Sequence, residues 1–415
     1  MLKELNYELY MLKNYKYRIY PNKEQKELFE KHFGCVRWVY NYGLEKKIKT
    51  YKNSKQKISC FELIDELPKL KKENIWLKEV TGQALQMALR NLDNAFTDFF
   101  KQKNAFPKFK NKNSNNSFQL PQNVRLQSNL IILPKIKGVK IVIDRTFQDK
   151  IKTTTISKTP TGKYFASILV DNSLDLPEKQ KINKAIGIDV GIKTYATLST
   201  GEKIENPKYL KNSLKRLKVL QRRMSKKVKG SKNRNKARLR VALQYEKITN
   251  QRQDFLHKLS SKLIAENQGI ALEDLNVKGM GKNHKLAQAI HDCAWSEFMR
   301  MLEYKASWYG KTVKKIGRFE PSSKICSCGE INNNLTLADR TWTCKKCNTY
   351  HDRDILAAQN ILKFSGLGKS VGPVELLPLG RAVKQEVLNI SHERRKRRVR
   401  SGLKRRTATY STKLT

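Results

Sequence analysis

The sequence predicts a multidomain protein: a small antiparallel β-barrel with a helical insertion, then an α/β domain that carries a cysteine knuckle. Three observations predict it. Short apolar runs recur between residues 130 and 170, and the last two are joined by the turn Thr159-Pro160-Thr161-Gly162. Helical periodicity dominates the segment before them. After residue 178, two apolar strands each end in an acidic residue, and four cysteines follow in two close pairs.

Residues 15–20 alternate apolar and basic side chains like a short strand, and Pro21-Asn22 stops it. Asn22 with Gln25 three residues later reads as a capping box. Leu28, Phe29, His32, Phe33, Val36, Val39 and Tyr40 then recur at helical spacing, and a second helical pattern starts near Thr81 with Leu85, Ala88, Leu89 and Leu92. These place a helical domain over residues 25–103. If the strand at 15–20 joins the barrel, that domain is an insertion between its strands. Trp38, Tyr40 and Tyr42 beside Arg37 are expected in the core, with base stacking as the other reading.

Residues 101–122 are basic, rich in asparagine and punctuated by proline, and read as a loop. Phe106, Phe109 and Phe118 interleave there with Lys108, Lys110 and Lys112, as either a nucleic-acid contact or a solvated linker. Strands are expected at 130–133, 139–143, 151–156 and 164–170, and a boundary at 171–177. Next come strands at 185–191, carrying Asp189, and at 194–198. Residues 207–266 form a strongly basic helical run with an apolar stripe of Leu214, Leu217, Leu220 and Met224, continued by Leu239, Leu243, Phe255, Leu259 and Leu263. Its basic face, with Arg222 and Arg223, is read as a phosphate track in preference to a solvated surface. Residues 269–275 repeat the pattern of an apolar strand ending in acid, at Glu273. A helix over 287–308 and a strand at 313–316 complete the pattern. The basic end of the chain is expected to be disordered in isolation.

Lys and Arg total 85 against 37 Asp and Glu over 415 residues, a formal charge of +48 spread along most of the length. Such a field selects polyanions, and points to DNA or RNA. No run of about 18 apolar residues exists, so no membrane span is expected. The N-terminus lacks the features of a signal peptide, Met11 resembles a second start site, and the expected location is the prokaryotic cytoplasm or nucleoid. Cys35, Cys60 and Cys293 stand singly and are read as buried thiols.

The chemistry concentrates in two sets of residues. Asp189, Glu273 and Asp354 each adjoin an apolar element, so elements of one sheet can bring them together. Three converging carboxylates repel unless cations neutralise them, and hard oxygen ligands suit magnesium. Two such ions about 3.5–4 Å apart can activate water and stabilise a leaving oxygen without a side-chain nucleophile. Cys326, Cys328, Cys344 and Cys347 suit one structural zinc ion. The first pair has only one intervening residue, and Gly329 after it can supply the tight turn needed.

Gly187-Ile188-Asp189-Val190-Gly191, Leu272-Glu273-Asp274-Leu275-Asn276-Val277, Pro321-Ser322-Ser323-Lys324, the four cysteines, and Asp352-Arg353-Asp354 with Ala357-Ala358 and Asn360-Ile361 together resemble TnpB, the transposon-encoded OrfB family. Residues 18–25 and 105–110 resemble its N-terminal half. The resemblance implies a RuvC-like nuclease domain of RNase H fold with a zinc ribbon, a wedge barrel, and a helical recognition domain. The implied bounds are 1–24 for an extension and first wedge strand, 25–103 for the recognition domain, 104–177 for the wedge, 178–366 for the nuclease with its ribbon at about 319–350, and 367–415 for a basic tail. It implies that Asp189, Glu273 and Asp354 are catalytic and hold two magnesium ions, with Asp352 the rival for the third place. It also implies a guide RNA from the transposon end, one protein per guide, and a double-stranded DNA target beside a short flanking motif; the family is similar to the compact type V CRISPR effectors. Arg37, Lys108, Lys110, Arg222, Arg223 and Arg353 are the candidate nucleic-acid contacts. Leu356 departs from the family pattern, where asparagine is common. A transposase that joins strands with the same three acids and a nuclease-inactive, RNA-guided DNA-binding regulator are the competing readings.

Overall fold

The protein is described by a computed structural model over residues 10–112, 116–175, 177–336 and 338–370. The extension expected before residue 10 and the tail beyond residue 370 lie outside the described residues. The sheet in the first half begins with β1 (Tyr10–Tyr20), and the chain then leaves it for four helices: α1 (Lys23–Ser54), α2 (Cys60–Asp65), α3 (Leu67–Glu73) and α4 (Gly82–Phe100). Asn22 Oδ1 accepts from Gln25 N–H at 2.8 Å and Gln25 Oε1 from Asn22 N–H at 2.9 Å, so the expected capping box starts α1. The Gln25 amide also donates to the carbonyls of Lys137 and Gly138, which ties the cap to a later strand. A cap of this kind is worth about 1 kcal/mol. His32 is fully buried, with Nδ1 at 2.8 Å from the Leu28 carbonyl and Nε2 at 3.2 Å from the Thr81 N–H; burial lowers its pKa and keeps it neutral.

The sheet resumes with β2 (Asn116–Leu120), β3 (Arg125–Gln127), β4 (Leu130–Leu133), β5 (Ile136–Val142), β6 (Lys150–Lys158) and β7 (Tyr164–Asp175). Its order is β2-β6-β7-β1-β5-β4-β3, all antiparallel, and no ladder joins β2 to β3 among the described residues. The expected barrel is thus a seven-stranded sheet with two edges. β1 pairs with β5 on one side and β7 on the other, so the helices do lie within the sheet's sequence. Helices and sheet share one apolar core that includes Phe29, Phe33, Val39, Leu85, Leu89, Ile156 and Ile168. Two expectations fail here. Residues 116–120 are strand, not loop, and Phe118 is buried against Phe29, His32 and Phe33, out of reach of any base. The two short helices α2 and α3 were also not anticipated, because six or seven residues are too few for a periodicity to stand out.

The second half contains β8 (Ala185–Val190), β9 (Thr194–Leu198), β10 (Lys203–Glu205), α5 (Tyr209–Ser225), α6 (Lys232–Glu266), β11 (Gly269–Glu273), α7 (Val277–Met280), α8 (Ala287–Cys293), α9 (Trp295–Trp308) and β12 (Thr312–Ile316). A small hairpin, β13 (Thr341–Thr343) and β14 (Tyr350–Asp352), leads into α10 (Arg353–Phe364). The five-stranded sheet runs β10-β9-β8-β11-β12; β11 is parallel to both neighbours, whereas β9 is antiparallel to both β8 and β10. The basic helical run divides at residues 226–231 into α5 and α6, and Leu239 and Leu243 lie exposed where an inward stripe was expected. The helix expected over 287–308 breaks at Ala294, whose φ of 53° is left-handed. Asp292 spans this region: its carboxylate accepts from the Leu210 N–H and from Arg252. Among the described residues, no helix is long and apolar enough to cross a membrane.

α10 lies against β8, β9 and β11. A Cβ placed on Gly187 would sit 2.0 Å from the Ala358 carbonyl oxygen and 2.9 Å from the Leu362 Cβ. The strand and the helix meet backbone to backbone there, and only glycine fits. Gly187→Ala is therefore expected to cost about 1–3 kcal/mol, the usual penalty of overpacking. An unchanged denaturation midpoint would contradict this seating of α10.

Candidate active site

Asp189 lies at the C-terminal end of β8 and Glu273 at that of β11, the parallel neighbour, while Asp354 lies in the first turn of α10. All three line one cleft of about 400 Å³, with Arg318, Phe319, Pro321, Ser322, Lys324 and Arg353 on its walls. The sequence-predicted acids are thus brought together. Burial pushes the Asp189 carboxyl up to about 7, and the charges of Asp354 and then Glu273 push it the same way. Burial and then the neighbouring Asp274 raise Glu273. Asp352, the rival third acid, does something else. Its Oδ1 caps α10 by accepting from the N–H groups of Asp354 and Ile355, and its Oδ2 pairs with Lys203 at 2.7 Å.

Arg318, Lys324 and Arg353 line the cleft beside the acids, and Arg318 is paired with Asp274. Arg353 Nη1 donates to the carbonyls of Thr336 and Asp339, so the head of this candidate contact is held by the knuckle loop, 3.7 Å from Asp354. Arg340 also stands 3.7 Å from Asp354. Three carboxylates on one open cleft offer the hard oxygen donors that magnesium takes.

The four cysteine sulfurs lie within 4.8 Å of one another, and the closest pairs, Cys326–Cys347 and Cys328–Cys344, stand at 3.5 and 3.6 Å. Four thiolates about 2.3 Å from one zinc ion require roughly this spacing. The short Cys326-Ser327-Cys328 pair reaches the site through a tight turn: Cys326 N–H donates to the Glu330 carbonyl, Gly329 N–H to that of Cys326, and Gly329 has φ of 91°. His351 was not singled out in the sequence. It is buried, with Nε2 at 3.1 Å from the Cys326 sulfur and its ring against Trp342. The available signal was its place directly before the Asp352-Arg353-Asp354 triplet. Leu356 is buried with Cys326, Trp342 and Cys344, so the residue that departs from the family pattern packs the knuckle onto α10. The Asn360 amide, also buried, donates to the carbonyls of Ser322 and Ile325 at 2.7 Å.

The other candidate contacts are dispersed. Lys108, Arg222 and Arg223 are exposed. Lys110 lies over the Tyr40 ring at 3.7 Å and burial lowers its pKa, and Arg37 lines a small recess with it. Tyr40 itself is in the core.

Residues 165–284 match the OrfB family described as "Probable transposase", and residues 295–361 match "Cas12f1-like, TNB domain". Residues 11–56 match a "Helix-turn-helix domain" of OrfB proteins, although here that stretch is β1 followed by one unbroken helix. A "Putative RNA-guided DNA endonuclease" of Streptomyces pristinaespiralis is 41% identical over 364 residues, covering 86% of this chain and 90% of its own. The "Putative RNA-guided DNA endonuclease InsQ" of Escherichia coli (strain K12) is 29% identical, covering 90% and 97%. "TnpB-like protein L770" of Acanthamoeba polyphaga mimivirus is 22% identical, covering 87% and 75%. The solved "Cas12f1-sgRNA-target DNA complex" superposes with a TM-score of 0.54 over 82% of this chain and 83% of that one, at 14% identity, a likeness of fold.

Two outcomes follow from this geometry. Without divalent cations, the folded chain keeps the Asp189 proton up to about pH 7, whereas the unfolded chain releases it near its ordinary value of 3.8. Stability should therefore fall as pH rises from about 4 to 7, by an amount on the order of a few kcal/mol. Asp189→Asn should flatten that slope in urea unfolding at several pH values. Separately, Cys344→Ser should lower the bound zinc and the melting temperature together; full zinc content in the variant would refute four-thiolate binding.

Proposed function

We propose the activity of this chain from its family: it belongs to the transposon-encoded OrfB, or TnpB, family. It is an RNA-guided DNA endonuclease. The observation that carries this reading is the convergence of Asp189, Glu273 and Asp354 on one open cleft in a chain of charge +48. The strand order β10-β9-β8-β11-β12, antiparallel on one side and parallel on the other, supports an RNase H-like, RuvC-type nuclease domain over 178–366. The cysteine cluster supports a zinc ribbon at about 319–350. The sheet of β1–β7 takes the part of the wedge and the helices of 25–103 that of the recognition domain.

The guide RNA, transcribed from the transposon end, supplies sequence by pairing with one strand of a double-stranded DNA target. The protein reads backbone shape and a short flanking motif. Asp189, Glu273 and Asp354 would hold two magnesium ions. When bound, magnesium supplies a water of lowered pKa and stabilises the leaving oxygen of the phosphodiester. The chain fixes the ligands on two strand ends and one helix start, and Lys324 on the cleft wall is a cation available to the phosphate. No serine, cysteine or histidine nucleophile is then required. The buried packing of Leu356 accounts for that departure without touching an acid, which favours an active enzyme over a nuclease-inactive regulator.

Asp189→Ala should keep guide and target binding but lose cleavage by several orders of magnitude, in an assay with guide RNA, matching DNA and magnesium. Cutting at near the wild-type rate would sink the assignment. Joined transposon ends formed without any guide would favour strand transfer instead.

A further inference from the structure

Phe319 is 94% exposed, more than any other large apolar side chain among the described residues. A benzyl group left in water forgoes about 1.5–3 kcal/mol of burial. Isolated exposed apolar residues are common and need no account. This one differs in its place and in how it is held. It lies on the wall of the cleft formed by Asp189, Glu273 and Asp354.

The turn that carries it is pinned on both sides. The Glu320 N–H closes on the Gly317 carbonyl at 3.3 Å, which puts Phe319 near the tip of a tight turn. Arg318, just before it, donates from Nε to the Asp274 carbonyl at 3.2 Å and from Nη2 to the Asp274 carboxylate at 2.8 Å. Asp274 directly follows the acid Glu273. After it, the Ser322 N–H bonds the Glu320 carbonyl, and the buried Asn360 amide of α10 holds the Ser322 carbonyl. The backbone that carries the ring is therefore fixed relative to Glu273 and to the helix of Asp354. No other aromatic ring packs on it among the described residues.

We propose that Phe319 is a stacking platform for one nucleobase of the DNA strand being cut, next to the scissile phosphate. The inference rests on the nuclease reading and narrows its substrate. In a closed duplex, both faces of a base are covered by neighbours. A single ring at the mouth of an acid cleft gains a base face only where the strand is already open, so the site takes an unpaired strand. The acids and their ions meet the phosphate while the ring meets the base, and together they fix the strand's position at two points. Stacking of this kind tolerates any base, because every base has a π face.

The test uses full-length protein loaded with the guide RNA that co-purifies with it, and a matching DNA target opened over the region to be cut. Cleavage is measured in magnesium. In calcium, the fluorescence of one 2-aminopurine placed at successive positions of the open strand is recorded. Phe319→Ala is expected to slow cleavage about ten- to a hundredfold, with guide binding and melting temperature unchanged. It should also abolish a fluorescence quench confined to one position. Phe319→Trp should restore both and Phe319→Leu neither. If Phe319→Ala cuts at the wild-type rate while Asp189→Ala does not cut, the platform falls and the nuclease reading stands. Equal rescue by Leu and Trp would mean apolar contact and not stacking, and would also overturn the proposal. If the wild-type protein cuts no guide-matched target, the nuclease reading fails and the platform with it.

Discussion

The absence of one side chain governs the second half of the molecule. At Gly187 the backbone of β8 and the backbone of α10 are in direct contact, and the Ala358 carbonyl occupies the space a Cβ would need. Because β8 is a middle strand and α10 starts at the end of the cysteine knuckle, that contact sets how far apart Asp189 and Asp354 lie. The parallel ladder from β8 to β11 then places Glu273 beside them. Three residues separated by more than 160 positions of chain share one cleft through one close approach and one strand pairing.

The knuckle acts through the same helix. Leu356 buries itself between Cys326, Cys344 and Trp342, while Asn360, one turn further on, holds the carbonyls of Ser322 and Ile325. Asp354 is thus fixed from below by β8 and from the side by the metal-binding loop. Division of labour between neighbouring acids is equally local: Asp352 spends its oxygens on the helix N-terminus and Lys203, which leaves Asp354 facing the cleft. A carboxylate already satisfied by two N–H groups and an ammonium is a poor ligand for a further cation.

Much of this was legible in the sequence because the relevant signals are short-range. The Asn22–Gln25 cap, the apolar strands ending at Asp189 and Glu273, and the paired cysteines each declare themselves within a few residues. What escaped depends on long-range contact. Phe118 belongs to a strand only because β6 accepts it, and its Lys- and Asn-rich surroundings gave no alternation to read. The break at Ala294 has no glycine or proline to announce it; the Tyr195 hydroxyl bonded to the Cys293 carbonyl and the buried Trp295 fix it from outside. Leu239 and Leu243 carry helical periodicity yet face outward, since periodicity shows that a face exists and not what covers it. His351, Leu356 and Asn360 are ordinary residue types whose roles come entirely from the partners that folding brings to them.

The threading of β1 between β5 and β7 has a consequence for how the chain is made. Arg18 is hydrogen-bonded into a ladder opposite Val142 on one side and Phe165 on the other. During synthesis, the first strand leaves the ribosome with neither partner in existence, and all four helices of the insertion are completed before β5 appears. The helices are local and form early, but the face of α1 that carries Phe29 and Phe33 waits for Phe118 and Tyr164. An unpaired strand and an uncovered apolar helix face therefore coexist on the nascent chain until about residue 170 has emerged, a window in which chaperone access and translation speed bear directly on yield.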